Sequence, residues 1–160
     1  MSVETVKAYL EKRGLGDRVI EFDVSSATVE LAALAVGCEP CRIAKSLTFY
    51  DPAGDGCVMI LAAGDARIDN PKFKAVFGGK AKMLSAEDVP AFTGHAIGGV
   101  CPFGVGEKTK VYLDASLKRF DVVYPAAGSA QSAVRLTLPE LEEASGSAGW
   151  IDVCKLPQGE

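Results

Sequence analysis

The sequence predicts an α+β domain built on a mixed or antiparallel sheet. Three observations predict it. Apolar, β-rich stretches of strand length recur along the chain, short segments with helical spacing fall irregularly between them, and glycine and proline mark the joins. The 160 residues are enough for one domain with a buried core, so a single domain over 1–160 is expected.

Each element has its own signal. Val3, Val6, Tyr9 and Leu10 repeat at helical spacing, with Ser2 as a cap ahead and Gly14 behind, and predict a helix over 3–12. Residues 18–22 read as a short strand. Thr28 caps a second helix, which runs to Val36 and stops at Gly37. Pro40 suits the first turn of a further short helix carrying 41–44. Strands follow over 46–50 and 57–62, joined by the turn Asp51-Pro-Ala-Gly-Asp-Gly56. Helical pieces are expected at 71–77 and 85–89, the latter punctuated by Asp88 and Pro90. A loop-rich middle holds His95 and the segment Gly98-Gly99-Val100-Cys101-Pro102. Strands are expected over 111–113, 120–124 and 132–138, with a small-residue turn at 126–130. Pro139 and Glu140 begin a last helix through Ala144, and 150–153 closes as a strand. No repeat, linker or low-complexity tract interrupts this order.

Composition excludes some classes of function. Hydrophobic residues make up 48% and charged residues 24%, ordinary for a soluble globular chain. No apolar run reaches the ~18–20 residues that span a bilayer. The first residues carry an acid and lack a long apolar core, so they do not read as a signal peptide, and a cytoplasmic location is expected. Five cysteines (38, 41, 57, 101 and 154) then read as reduced thiols. A net charge of −4 argues against sequence-blind nucleic-acid binding by the whole surface. One local patch stands out: between Pro71 and Leu84 there is no acid, while Lys72, Lys74, Lys80 and Lys82 all occur. It is either a solvated face or the footprint of a polyanion.

Several constellations are weak on chemical grounds. Cys38-Glu-Pro-Cys41 lacks the second pair that a structural zinc site needs, and it does not follow a strand as a thioredoxin-type motif would. Gly104-Val-Gly-Glu-Lys108-Thr109 fails as a phosphate loop, because Glu107 precedes the lysine and a strand is expected where a helix should follow. His95 is the single histidine. A thiol–imidazole pair would have to join it to Cys101, six residues away, and a structural or surface histidine is the simpler reading. The chain therefore lacks an obvious general base, and any catalysis must rest on position and electrostatics or on the substrate's own groups.

Lys45 is the informative residue. In Arg42-Ile-Ala-Lys45-Ser-Leu-Thr-Phe49 a lysine stands at the mouth of an apolar strand. It either snorkels at an edge or is a fixed cation aimed at an anionic or hydroxyl-bearing ligand. The glycine-proline loop at 98–102 offers amides that can approach a phosphate, a carboxylate or an ester carbonyl.

Lys45-Ser-Leu, then Gly98-Gly-Val-Cys-Pro-Phe-Gly104, then Tyr124-Pro-Ala-Ala-Gly-Ser129 and Val134-Arg-Leu occur in an order that resembles the YbaK/ProX family over nearly the whole chain. These are aminoacyl-tRNA deacylases related to the editing domain of bacterial prolyl-tRNA synthetases. The resemblance implies a compact editing domain with a mixed, largely antiparallel curved sheet and surrounding short helices. It implies hydrolysis of a mischarged tRNA, such as tRNA-Pro carrying alanine or cysteine, with no metal or organic cofactor. By position, Lys45 matches the family's essential lysine. Gly98 and Gly99 match catalytic loop positions, and Val100, Cys101, Pro102, Ala127, Gly128 and Ser129 match the pocket. Lys72, Lys74, Lys80 and Lys82 would touch acceptor-stem phosphates, and a synthetase is a possible partner. Cys101 departs from the serine that many members carry. Physics supplies an independent motive, since a synthetase gains only about 1–3 kcal/mol of discrimination per methylene, and a second, small site removes what slips through. Ala62, Ala63, Ala126, Ala127 and Gly128 are candidates for such a small lining. Two other classes remain: a module of the same fold that binds tRNA, a nucleotide or a synthetase without turnover, and a thiol or zinc protein using Cys38 and Cys41.

Overall fold

A computed structural model describes residues 2–26 and 28–157. Its first helix, α1 (Val3–Glu11), is capped by the Ser2 hydroxyl, which accepts from the Thr5 amide, and it buries Val6 and Leu10. A 3-10 turn at Gly16–Arg18 leads into β1 (Val19–Glu21). The helix α2 (Val29–Val36) starts at Thr28 and ends at a left-handed Gly37, as its sequence signals require.

The next segment differs from expectation. Pro40–Arg42 is a single 3-10 turn, and β2 (Ile43–Tyr50) begins three residues earlier than the apolar run suggests. The cause lies far away in sequence: Ile43 and Ala44 pair in parallel with Tyr124 and Pro125 of β6 (Val122–Pro125). Lys45 is thereby inside the strand, not ahead of it. β3 (Cys57–Ala63) is buried along its full length and pairs with β2 in antiparallel register, Lys45 opposite Ala62.

The remaining elements are β4 (Arg67–Ile68), α3 (Asn70–Phe77), α4 (Asp88–Thr93), β5 (Thr109–Asp114), β7 (Ser132–Val134), β8 (Leu136–Thr137), α5 (Leu138–Ser145), β9 (Trp150–Ile151) and β10 (Cys154–Lys155). Among the described residues they form a six-stranded sheet of order β8-β6-β2-β3-β5-β9 and two antiparallel pairs, β1 with β7 and β4 with β10. The main sheet is mixed: β8–β6 and β2–β3 are antiparallel, while β6–β2, β3–β5 and β5–β9 are parallel. The α+β expectation holds.

Three further local expectations are corrected. Pro90 does not end a helix at 85–89 but sits in the first turn of α4, where its missing N–H costs no bond. The strand expected over 132–138 changes partner at Arg135, so Ser132–Val134 joins β1 and Leu136–Thr137 joins β6. The strand expected over 150–153 ends at Ile151, and β10 follows it. The last helix keeps its predicted capping box, with Thr137 and Glu140 bonded reciprocally.

The sheet separates two environments. An aromatic chain, Phe49 to Phe73 at 5.2 Å, Phe73 to Phe77 at 4.7 Å and Phe77 to Tyr112 at 5.3 Å, seats α3 on one face. Strand alternation turns Ser46 and Thr48 to the opposite face, under α2 and the loop that follows α4. No helix among the described residues is long and apolar enough to cross a membrane.

Candidate active site

The cleft on that second face has a volume of about 260 Å³. Ser46 and Thr48 of β2 form its floor with Lys45 at its edge, Val29 and Ala32 of α2 one wall, and Ile97, Gly98 and Val100 another; Ala126, Ser132 and Ala133 close the end. The lining is small and mostly apolar. Lys45 and the 98–100 loop, distant in sequence, therefore border one cavity.

The lysine is more constrained than its position alone implies. Its ammonium donates to the carbonyls of Ala66 and Gly64, the latter at 3.3 Å. Those acceptors line an adjoining depression rather than the cleft. Two of the three ammonium hydrogens are thus engaged, and one is left for a ligand. Burial pushes the Lys45 pKa below its usual value of 10.5, opposed by the nearby Cys154 and Asp65. Asp65 itself is gripped at two points by Arg119, at 2.5 and 3.1 Å, and that contact holds its carboxyl below the ordinary carboxylate range.

The loop is only partly the row of donors that its sequence suggests. The Gly99 amide donates to the Ala96 carbonyl at 3.0 Å and is spent on a turn. Gly99 matters for packing: a Cβ there would stand 2.6 Å from the carbonyl carbon of Gly128 and the amide nitrogen of Ser129. Gly98 takes φ +93°, a conformation that favours glycine. Among the described residues the amides of Gly98 and Val100 have no acceptor, and both residues line the cleft.

Other expected pocket residues lie behind the lining. Cys101 is fully buried, with the backbone of Phe103 and Gly128 near its sulfur, and burial pushes its pKa up to about 12. It lies 3.5 Å from the His95 Nε2, so the two are neighbours, but that nitrogen is also 2.8 Å from the Phe103 carbonyl and both side chains are sealed from solvent. Burial pushes the His95 pKa down. A protonated thiol beside a neutral, enclosed imidazole is core structure, not a nucleophile pair. Pro102, Ala127 and Gly128 are buried and do not border the cavity. Ser129 caps its own turn, bonding the Ser132 hydroxyl at 3.0 Å and the Gln131 amide at 3.1 Å. Ala62 and Ala63 are fully buried in β3. Small residues do line the site, but Ala126 is joined there by Ala32, Ala44 and Ala133.

The lysine patch is broken up. Lys72 is tied to Asp152 at 3.1 Å and to the Cys154 carbonyl at 3.0 Å, and so anchors the chain leading to β10. The Lys82 ammonium lies 5.5 Å from the Tyr50 ring centre, while Lys74 and Lys80 flank an apolar depression with Pro71 and Ala81. Cys38 and Cys41 are half-buried free thiols, and burial pushes the Cys38 pKa up. Among the described residues no group of three or more His, Cys, Asp or Glu side chains is placed to hold a metal ion. The Gly104–Thr109 stretch runs straight into β5, which is incompatible with a phosphate loop.

Sequence reasoning missed Ser46. Its Oγ is buried in the cleft wall without a hydrogen-bond partner among the described residues. The signal was present as two polar residues, Ser46 and Thr48, at alternate positions of an otherwise apolar strand.

The sequence model of the aminoacyl-tRNA editing domain matches residues 24–144. The chain belongs to the aminoacyl-tRNA editing domain family. This editing domain is 53% identical over 155 residues to the uncharacterized protein YwhH of Bacillus subtilis (strain 168), covering 97% of this chain and 98% of that one. A solved structure described as a candidate trans-editing enzyme for prolyl-tRNA synthetase superposes with a TM-score of 0.84 at 34% identity, covering 96% of each chain. EbsC of Enterococcus faecalis (strain ATCC 700802 / V583), a candidate Cys-tRNA(Pro)/Cys-tRNA(Cys) deacylase, is 28% identical over 102 residues, which are 63% of this chain and 62% of that one. The family expectation drawn from Lys45, the 98–104 loop and the 124–129 segment therefore holds.

Proposed function

We propose that this editing domain acts in trans as an aminoacyl-tRNA deacylase, hydrolysing the ester between a small non-cognate amino acid and the terminal ribose of a tRNA. The observation that carries this reading is the shared cleft: Lys45 on one side, the uncommitted amides of Gly98 and Val100 on the other, and a cavity of about 260 Å³ lined by small residues between them. The preferred cargo is alanine or cysteine on tRNA-Pro; the likeness to a candidate trans-editing enzyme for prolyl-tRNA synthetase supports the tRNA, and EbsC, a candidate Cys-tRNA(Pro)/Cys-tRNA(Cys) deacylase, supports cysteine.

The chemistry needs little from the protein. An aminoacyl ester is already activated, and attack on its carbonyl carbon places negative charge on the carbonyl oxygen. The amides of Gly98 and Val100 stabilise that oxyanion, and the remaining Lys45 N–H holds the terminal ribose or adenosine. No carboxylate or imidazole borders the cleft among the described residues. The attacking group is therefore water held by the neighbouring ribose hydroxyl, or the cargo's own thiol when it is cysteine. With water, the ester C–O bond breaks, the ribose oxygen regains a proton, and free amino acid and uncharged tRNA leave; with the cargo thiol, a C–S bond replaces the ester C–O bond, the thiol proton passes to the ribose oxygen, and the cyclic thioester that leaves is opened by water to free cysteine.

A deacylation panel with Ala-, Cys-, Ser- and Thr-charged tRNAs tests the reading. The wild-type chain should release at least one small amino acid, and Lys45→Ala should lower kcat/KM by about 100-fold or more. Release from no member of the panel, or equal rates for wild type and Lys45→Ala, refutes it. Tight tRNA binding without turnover would identify a binding module of the same fold.

A further inference from the structure

Behind the cleft, and sharing Lys45 with it, lies a depression of about 540 Å³. Gly64, Asp65, Ala66 and Arg67 border it on one side and Lys155, Leu156 and Pro157 on the other. Its two sides are the antiparallel pair β4 and β10, in which Arg67 and Lys155 stand directly opposite each other. Like charges at facing positions destabilise a strand pair. Neither side chain makes an ion pair among the described residues, whereas the nearby acid Asp65 is occupied by Arg119. The pair is nonetheless held firmly in place. The Asp69 amide donates to the Val153 carbonyl at 2.8 Å, the Val153 amide to Asp114 at 2.9 Å, and Lys72 to the Cys154 carbonyl at 3.0 Å. A chain with a net charge of −4 thus gathers three cations, Lys45, Arg67 and Lys155, around one hollow.

We propose that this hollow binds a phosphodiester of the RNA strand leading to the ester-bearing nucleotide, held by Arg67 and Lys155 with Lys45 at the junction. The proposal rests on the deacylase reading for the identity of the strand. The logic is one of adjacency. The ester sits on the last ribose, and the next phosphate lies one nucleotide back along the strand. A cleft that takes the ester therefore needs an anion site next door. Lys45 borders both spaces, so it can touch the last nucleotide while its neighbours neutralise the phosphate. A bound phosphate would also relieve the repulsion between Arg67 and Lys155. This route places the RNA along β4 and β10, and Lys72 serves it by anchoring β10 instead of contacting phosphate.

The test uses the full chain and a 5′-fluorescein RNA with the sequence of an uncharged tRNA acceptor 3′ end, followed by fluorescence anisotropy at several salt concentrations. Replacing both cations (Arg67→Gln with Lys155→Gln) should weaken binding about tenfold or more at low salt. It should also flatten the slope of log K against log salt by about 0.7, the equivalent of one single-strand phosphate contact. Removing two charges from α1 and its C-cap (Lys7→Gln with Lys12→Gln) should change affinity less than about twofold, and Arg67→Lys should retain most of it. A double variant that binds within about twofold of wild type with an unchanged slope overturns the proposal. A titration with inorganic phosphate separates the strand from the free ion. RNA binding that survives millimolar phosphate supports the strand; tight phosphate binding with RNA affinity indifferent to the two substitutions overturns it. Because the RNA is uncharged, failure to release any amino acid would sink the deacylase reading and leave this binding result standing.

Discussion

Ser46 shows how much a single hydroxyl can decide. It follows Lys45 on β2 and presents to the cleft an oxygen that no described residue bonds. Three other cleft hydroxyls are occupied: Ser26 donates to the Ala130 carbonyl at 2.7 Å, Thr28 caps α2 and Ser132 is paired with Ser129. A cargo with a purely hydrocarbon side chain leaves the Ser46 oxygen unsatisfied, which costs about 1–3 kcal/mol, whereas a thiol or hydroxyl on the cargo meets it. Ser46→Ala should therefore shift the ratio of kcat/KM values toward alanine over cysteine or serine by about tenfold, since about 1.4 kcal/mol corresponds to one decade. An unchanged ratio in the charged-tRNA panel would show that Ser46 does not read the cargo. Lys45 was legible as the residue to watch because a lysine in an apolar strand demands an explanation. That two of its hydrogens go to the Gly64 and Ala66 carbonyls was not legible, because those contacts depend on the turn after β3.

Secondary-structure elements meet at the site through backbone contacts that leave no room for side chains. The loop after α4 crosses the 126–129 segment so closely that Gly99 has no space for a methyl group, its notional Cβ standing 2.6 Å from backbone atoms of Gly128 and Ser129. Backbone cannot rotate away as a side chain can, so Gly99→Ala should cost about 1–3 kcal/mol in urea unfolding. It should also lower deacylation by displacing Gly98 and Val100 from the cleft. A Gly99→Ala protein with wild-type stability and rate would contradict this packing role. In the sequence, Gly98 and Gly99 look interchangeable as suppliers of free amides. In the structure they differ: Gly98 keeps an uncommitted amide at the cleft, and Gly99 spends its amide on Ala96 and serves the close crossing. The caps behaved otherwise. Thr28, Gly37, Thr137 and Glu140 bound their helices as read, because a cap is satisfied within a few residues of itself.

Across the entire chain, the buried His95 couples stability to pH. Its enclosed imidazole has a pKa pushed below the ordinary 6.5 by burial, so the unfolded chain takes up the proton more readily. The stability it contributes is whole above about pH 6.5 and is lost as pH falls toward the folded value. Thermal unfolding should therefore show Tm falling between pH 7.5 and 5. His95→Gln should start lower at pH 7.5 and fall less steeply over the same interval. Parallel curves for the two proteins would place the acid sensitivity elsewhere. From the sequence came the α+β class, the helix boundaries set by local caps, the turn at 51–56, and the family order of Lys45 and the 98–102 loop. These are carried by interactions between near neighbours or by residue identity itself. The early start of β2 came from Tyr124 and Pro125, the break at Arg135 from competing partners β1 and β6, and the retreat of Cys101 into the core from its contacts with His95, Phe103 and Gly128. Strand membership and burial are settled by partners remote along the chain, and no local pattern encodes which of two remote partners wins.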